Sequence, residues 1–357
     1  MRRLLVFVAL LVLQLVGYAQ LRNFPEIVEQ FYSTGIYPYI GKTYRWLFGW
    51  IPFSVGDIAY IIAIGLSLRW LWISRWGIIT LSRKRFSQLF LTLNIVIFLF
   101  NLSWGFNYYR QPLHQVLELG SDYTTEELIA TIEYYTDSSN RLHEQLQQVD
   151  SLPVRFTRTQ DQLFELAPDA FKKLEAIYPE LDYGESSIKK SLLTYPLSYM
   201  GYGGYLNPFT GEAQVNANIE FYKAPVLILH EMSHQLGFAK ENEANFIAII
   251  TGKAHSDLYF NYSASIFALR YCLNDLYRRD PAQYKLATIK LRPGIMANYK
   301  ELQEFWQAYE GVIEDVSQVT YNTYLKANNQ PGGIKTYSYV VALLVNHQRI
   351  NGYEALR

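Results

Sequence analysis

The sequence predicts a mainly α chain with a small β-sheet, in which N-terminal transmembrane helices precede a domain with its own core. Three observations carry this. Long apolar runs and basic residues crowd residues 1–108, which hold ten Lys/Arg against three Asp/Glu. The remaining 22 basic and 29 acidic residues lie in a stretch dominated by helical periodicity. One segment within it, Gly211 to Glu220, alternates apolar and polar residues as a half-exposed strand does.

Three stretches have the length and apolarity of membrane spans. The first, Leu4 to Ala19, follows Arg2 and Arg3. It is short enough to be the apolar core of a signal peptide, but Gly17-Tyr18-Ala19 is a poor cleavage signal. The second runs from Val55 to Ile73 and the third from Gln88 to Tyr108, each close to the roughly 20 residues that cross a bilayer. Trp46, Trp50, Trp70, Trp72, Trp76 and Trp104 sit near their ends, as an interfacial aromatic belt does. Asp57, Asn94 and Asn101 read as helix-packing or interfacial groups. The segment 69–85 carries five basic residues and no acid. The positive-inside rule therefore puts it in the cytoplasm and puts residues 109–357 outside. The expected location is a multi-pass protein of the bacterial cytoplasmic (inner) membrane, with the lipid bilayer as one partner.

Residues 109–357 suffice for a sizeable core. A helix starts at Thr124 or Thr125 and runs to about Gln148. Ala167 to Ile177 is helical in pattern and stops at Tyr178-Pro179, and Ser191 to Tyr205 reads as a loop. Ser256 to Arg279 and Tyr299 to Lys326 are mainly helical. Gly332 and Gly333 precede a last apolar segment, Tyr337 to Val345. The acidic balance argues against a nucleic-acid partner. The lone cysteine, Cys272, excludes an internal disulfide and reads as a buried thiol.

The chemistry concentrates at His230-Glu231-Met232-Ser233-His234, an H-E-x-x-H sequence. On a helix, residues four apart share a face, so both imidazoles reach one metal ion and Glu231 reaches a water beside it. Pro225 suits a first helical turn, Val226 to Leu236 has no breaker, and Gly237 offers a left-handed stop. A zinc site needs a third ligand and an open position. Glu241, with Asn245 one turn later as its support, is favoured over Glu243, which points about 200° around the helix. The other glutamate is expected on a solvated helix N-terminus. Tyr205 and Tyr262 are candidates to stabilise an oxyanion. His114, His143, His255 and His347 lack ligand spacing and read as packing or surface residues.

The segments HEMSHQLGFAKENEANF and SYMGYGGYLNPFTGEAQVN, with FSVGD at Phe53 to Asp57 and FNYYRQPL at Phe106 to Leu113, resemble a bacterial membrane-protein family, the domain of unknown function 3810. That resemblance spans nearly the whole chain. It implies a zincin-like domain behind N-terminal transmembrane helices. A wider similarity is to glutamate-zincins, which complete H-E-x-x-H with E-x-x-x-D. Here Glu241 and Asn245 occupy those places, with Asn for Asp and a short gap. Gly237 matches the metzincin pattern, but Lys240 stands at its third histidine, so that reading fails. By analogy with zincins, the strand before the metal helix is either a cleft rim that binds extended peptide or an ordinary edge strand. The implied function is a membrane-anchored zinc-dependent metallopeptidase. Its Zn²⁺ sits on His230, His234 and Glu241, Glu231 is the base, and a peptide or protein is the substrate. The alternative is a non-catalytic membrane protein with a structural or degenerate metal site. An intramembrane protease is disfavoured, because the motif lies over a hundred residues beyond the last apolar span.

Overall fold

The computed structural model describes residues 2–79, 82–176, 178–219, 222–330 and 339–351. Among these, eleven helices have twelve or more residues. They are α1 (Arg2–Gln20), α2 (Tyr37–Phe48), α3 (Val55–Ile79), α4 (Arg83–Ser103), α5 (Thr125–Leu146), α6 (Lys223–Gln235), α7 (Glu241–Ala254), α8 (Leu258–Arg279), α9 (Pro293–Gln307), α10 (Val312–Ala327) and α11 (Tyr339–Asn351). Three short strands, β1 (Ile188–Lys190), β2 (Gly204–Leu206) and β3 (Ala213–Val215), form one sheet.

Helices α1, α3 and α4 are long and apolar enough to cross a membrane. The third candidate span ends at Ser103, five residues before the expected limit. The chain then turns through a short 3-10 segment, Gly105–Tyr109, whose Asn107, Tyr108 and Tyr109 are buried. Apolarity persists there because these residues pack on protein, with Val28, Tyr32, Tyr37, Trp104 and Ala239 in a small second core. Asn94 serves helix packing as expected: its amide donates to Phe7 O at 2.9 Å, tying α4 to α1.

The strand expectation is corrected. Among the described residues of that stretch only Ala213–Val215 forms a strand, Glu220 lying outside them, and β3 is the central strand, parallel to β1 and antiparallel to β2. It is neither a cleft rim nor an edge. All three of its residues are buried. The alternating polar side chains face internal partners in place of water. Gln214 donates to Glu212, and Asn216 donates to Ser198 Oγ and Tyr202 O. The edges belong to β1 and to the half-buried β2, which begins at the end of the segment read as loop.

The main core lies among α5, α6, α7, α8 and α11 and closes over the sheet. Thr124 caps α5 through a capping box with Glu127. Of the helix expected over Ala167–Ile177, the described residues form Asp169–Lys172, with another helix at Gln160–Leu166 before Pro168; Ile177 lies outside the described residues. The stretch Tyr299–Lys326 is two helices, α9 and α10, with a break at 308–311. Gly332, Gly333 and Tyr337 lie outside the described residues. Cys272 is fully buried, as expected.

His347 packs against Phe246 under α11, and burial pushes its imidazole down to about 4. Its neutral form is the folded one. The corresponding stability is complete above the unfolded value near 6.5 and is lost as pH falls towards 4. The difference is on the order of 3 kcal/mol. The melting temperature of wild type should fall more steeply between pH 7 and pH 4.5 than that of His347→Leu; parallel curves refute this role.

Candidate metal centre

Helix α6 begins at Lys223, two residues earlier than Pro225 suggests, and Pro225 sits in its first turn. Its end is a Schellman turn. Gly237 adopts φ +86°, its N–H reaches His234 O at 2.9 Å, and Phe238 N–H reaches Ser233 O at 3.3 Å. That turn carries Phe238 O back to His234 Nδ1, 2.7 Å away. The neutral ring then carries its proton on Nδ1 and presents a lone pair on Nε2. A Cβ on Gly237 would lie 2.9 Å from Tyr37 Cε1 in a conformation that L-residues resist. Gly237→Ala should therefore cost about 1–2 kcal/mol, read as a shift in the denaturation midpoint. An unchanged midpoint would remove the turn from this account.

The carbonyls at the end of α6 find their partners in the first 110 residues. Trp104 Nε1 donates to His234 O at 3.3 Å. Tyr37 OH and Arg45 Nη1 donate to Gln235 O at 3.1 and 3.2 Å, and Arg110 Nη1 donates to Gly237 O at 3.1 Å. Two buried guanidinium groups thus face the negative end of the helix dipole. FNYYRQPL is explained by this position, because Arg110 is both the helix cap and the partner of Glu29. FSVGD is explained likewise. Glu212 accepts from Val55 N and Gly56 N at 3.0 and 2.6 Å, capping α3, and a Cβ on Gly56 would strike Asn207. Asp57 accepts from Ser191 Oγ, Leu192 N and Tyr205 OH, so it fastens the sheet to the span.

His230, His234 and Glu241 come together. His230 Nε2 lies 3.1 Å from both His234 Nε2 and Glu241 Oε2, and His234 Nε2 lies 3.8 Å from Glu241 Oε2. A tetrahedral ion with bonds of about 2.0–2.1 Å sets its ligand atoms about 3.3 Å apart. The spacing and the two-imidazole, one-carboxylate donor set both fit zinc. The three groups also shift one another's protonation. Burial raises Glu241, but the two histidines outweigh it and hold the carboxylate well below its usual range. Burial lowers both imidazoles; at His234 the Glu241 carboxylate reverses this, up to about 9, while His230 stays below its ordinary value.

Glu231 stands beside the ligands, and its Oε2 is buried without a hydrogen-bond partner. Burial pushes its carboxyl up to about 8. A cation on the neighbouring ligands would pull it back down. Gly204 of β2 makes room for it: a Cβ there would lie 2.7 Å from Glu231 Oε1 and 2.5 Å from Gln214 O.

Glu243 is elsewhere. It is buried, accepts from Leu113 N at 2.9 Å, and pairs with Lys240 at 3.3 Å. It thus lies outside the His230–His234–Glu241 cluster and is not the solvated residue expected of the second glutamate. Asn245 lines the cleft but donates to Tyr271 OH at 3.4 Å and makes no hydrogen bond to Glu241 or either histidine. The expected support comes from Tyr321 of α10, whose hydroxyl donates to Glu241 Oε1. Tyr205 lines the cleft with its hydroxyl committed to Asp57, and Tyr262 is buried outside the cleft on Asn298. His143 and His255 bond to the carbonyls of Leu152 and Leu166, away from the cluster. Sequence reasoning missed Tyr321 and also Lys223, a cation that lines the cleft over the Phe267 ring and that burial pushes down to about 8.

The family model described as "Protein of unknown function (DUF3810)" matches residues 32–345. The chain belongs to the DUF3810 family. The DUF3810 match takes in His230, His234, Glu241, Tyr321, α3 and α4, and leaves α1 outside. No curated protein and no solved structure matches the chain.

Proposed function

We propose that this DUF3810 chain is a membrane-anchored, zinc-dependent metallopeptidase of zincin-like design. Its soluble part faces the outside of the bacterial cytoplasmic membrane, as the basic residues at the adjoining ends of α3 and α4, Arg69, Arg75, Arg83, Lys84 and Arg85, argue. The observation that carries the reading is the convergence of His230, His234 and Glu241 beside a Glu231 carboxylate with a free oxygen. The cluster opens on a cleft of about 420 Å³. A purely structural zinc site closes its fourth position with protein, so an open cleft favours catalysis.

Zinc held by His230, His234 and Glu241 would supply an acidified water, with a pKa of ~7, and a Lewis acid for a carbonyl. Glu231 would take a proton from the attacking water and pass it to the leaving amine. The peptide C–N bond breaks and the water oxygen stays on the new carboxyl group; one of the water's protons reaches the amine through Glu231 and the other leaves the carboxyl group for the amine, giving carboxylate and ammonium. Tyr321 holds Glu241 by its outer oxygen, leaving Oε2 for the metal. Strand β2 positions substrate. Gly203 O and Asn207 N bond towards β3. The antiparallel alternation therefore turns the N–H and C=O of Gly204 and Leu206 to the free edge, where an extended peptide can add.

The test uses the full chain in detergent. Elemental analysis should give one zinc per chain, and a peptide library should be cleaved in a chelator-sensitive way. A chain that binds no divalent metal refutes the proposal. Gly204→Ala should reduce cleavage at least tenfold while leaving zinc in place, because the added methyl invades the space of Glu231; undiminished cleavage would remove β2 from the site.

A further inference from the structure

The cleft is built on the outer ends of two candidate membrane spans. Phe100 of α4 lines it, and so does Trp104 just beyond the helix. Tyr205 of β2 also lines it, stacked on Tyr60 of α3 with ring centres 6.2 Å apart. Phe100 lies 17 residues after Arg83, so about 26 Å along α4. That is still within a hydrocarbon layer of about 30 Å that starts at the basic end. Its neighbours Phe98, Leu99 and Leu102 are exposed, as lipid-facing residues are. From Phe100 the metal ligands are two ring contacts away: 6.3 Å to Trp104, then 6.2 Å to His234.

This closeness is rigid. Glu212 caps the first turn of α3, Asp57 fastens β2, and Trp104 holds the carbonyl of His234 itself. The metal helix and the spans therefore share one frame, and the cleft cannot swing away from the bilayer.

We infer that the substrate is a polypeptide tethered to the outer bilayer surface, by a membrane span or a lipid, and cut within a few residues of its anchor. This rests on the peptidase reading above and on α3 and α4 crossing the membrane. Extended chain covers about 3.3–3.6 Å per residue, so about four residues bridge the distance from Phe100 to His234. A peptide leaving the bilayer beside Phe100 reaches the free edge of β2 and the metal ligands without a linker. A scissile bond tens of residues from its anchor gains nothing from this placement.

The test is a series of randomised peptides on a palmitoyl anchor, reconstituted with the full chain in phospholipid vesicles. Flexible spacers of increasing length separate the anchor from the randomised block, and cleavage positions are read by mass spectrometry. Glu231→Gln vesicles give the background. The expected result is a cleavage maximum about three to six residues from the anchor, falling at least tenfold by twenty. Because all members are anchored, surface enrichment is common to the series. A flat profile, or equal cleavage of the same peptides without the anchor, overturns the inference and leaves the peptidase reading intact. No cleavage of any peptide by a zinc-loaded chain overturns both.

Discussion

Glu231→Gln should retain one zinc per chain and lose peptide hydrolysis by roughly two to four orders of magnitude, the usual contribution of a positioned acid–base group. Glu231 is outside the His230–His234–Glu241 group, and its Oε2 has no hydrogen-bond partner, so the change should leave those three residues in place. The amide is nearly the same size and fits against Gly204, but it has no lone pair of useful basicity for the water proton. Elemental analysis and peptide cleavage on one preparation check both halves. Retained hydrolysis would take proton transfer away from Glu231, and lost zinc would make it a ligand.

Glu241→Ala should lower zinc affinity by more than the 10- to 100-fold that loss of a supporting residue typically costs, because a ligand and the only carboxylate of the cluster go together. Glu243→Gln should leave zinc binding unchanged. Its effect belongs to stability: the buried carboxylate caps Leu113 N–H and pairs with Lys240, and weakening that arrangement costs about 1–3 kcal/mol. Competition titration with a zinc chelator and chemical denaturation, run on both variants, separate the two residues. Zinc loss in the Glu243 variant alone would reverse the assignment. Tyr321→Phe falls between these, because it frees one oxygen of Glu241 without removing the ligand.

Spacing made the H-E-x-x-H motif readable and hid its surroundings. His230 and His234 share a face because four residues make about one turn, and a single apolar helix enforces it. Glu241 was legible because Gly237 closes the helix with a short turn and the next helix starts at once. Tyr321 was not legible: it meets Glu241 across 80 residues, through the placement of α10. Asn245 had the spacing of a support, but the helix turns its amide to Tyr271. The alternation at Ala213–Ile219 misled because a buried polar network produces the same pattern as a solvated strand face.

Local rules decided what the sequence alone determined: three apolar helices of membrane length, the H-E-x-x-H helix with its glycine stop, and the two histidines flanking Glu231. Each depends on residues a turn or a span apart, where backbone geometry is fixed. Tertiary structure decided which glutamate joins the histidines, which strand keeps a free edge, and how near the cleft lies to the spans. These depend on contacts between residues far apart in the chain, such as Asp57 with Tyr205 and Trp104 with His234. Packing selects such contacts, and no periodicity records them.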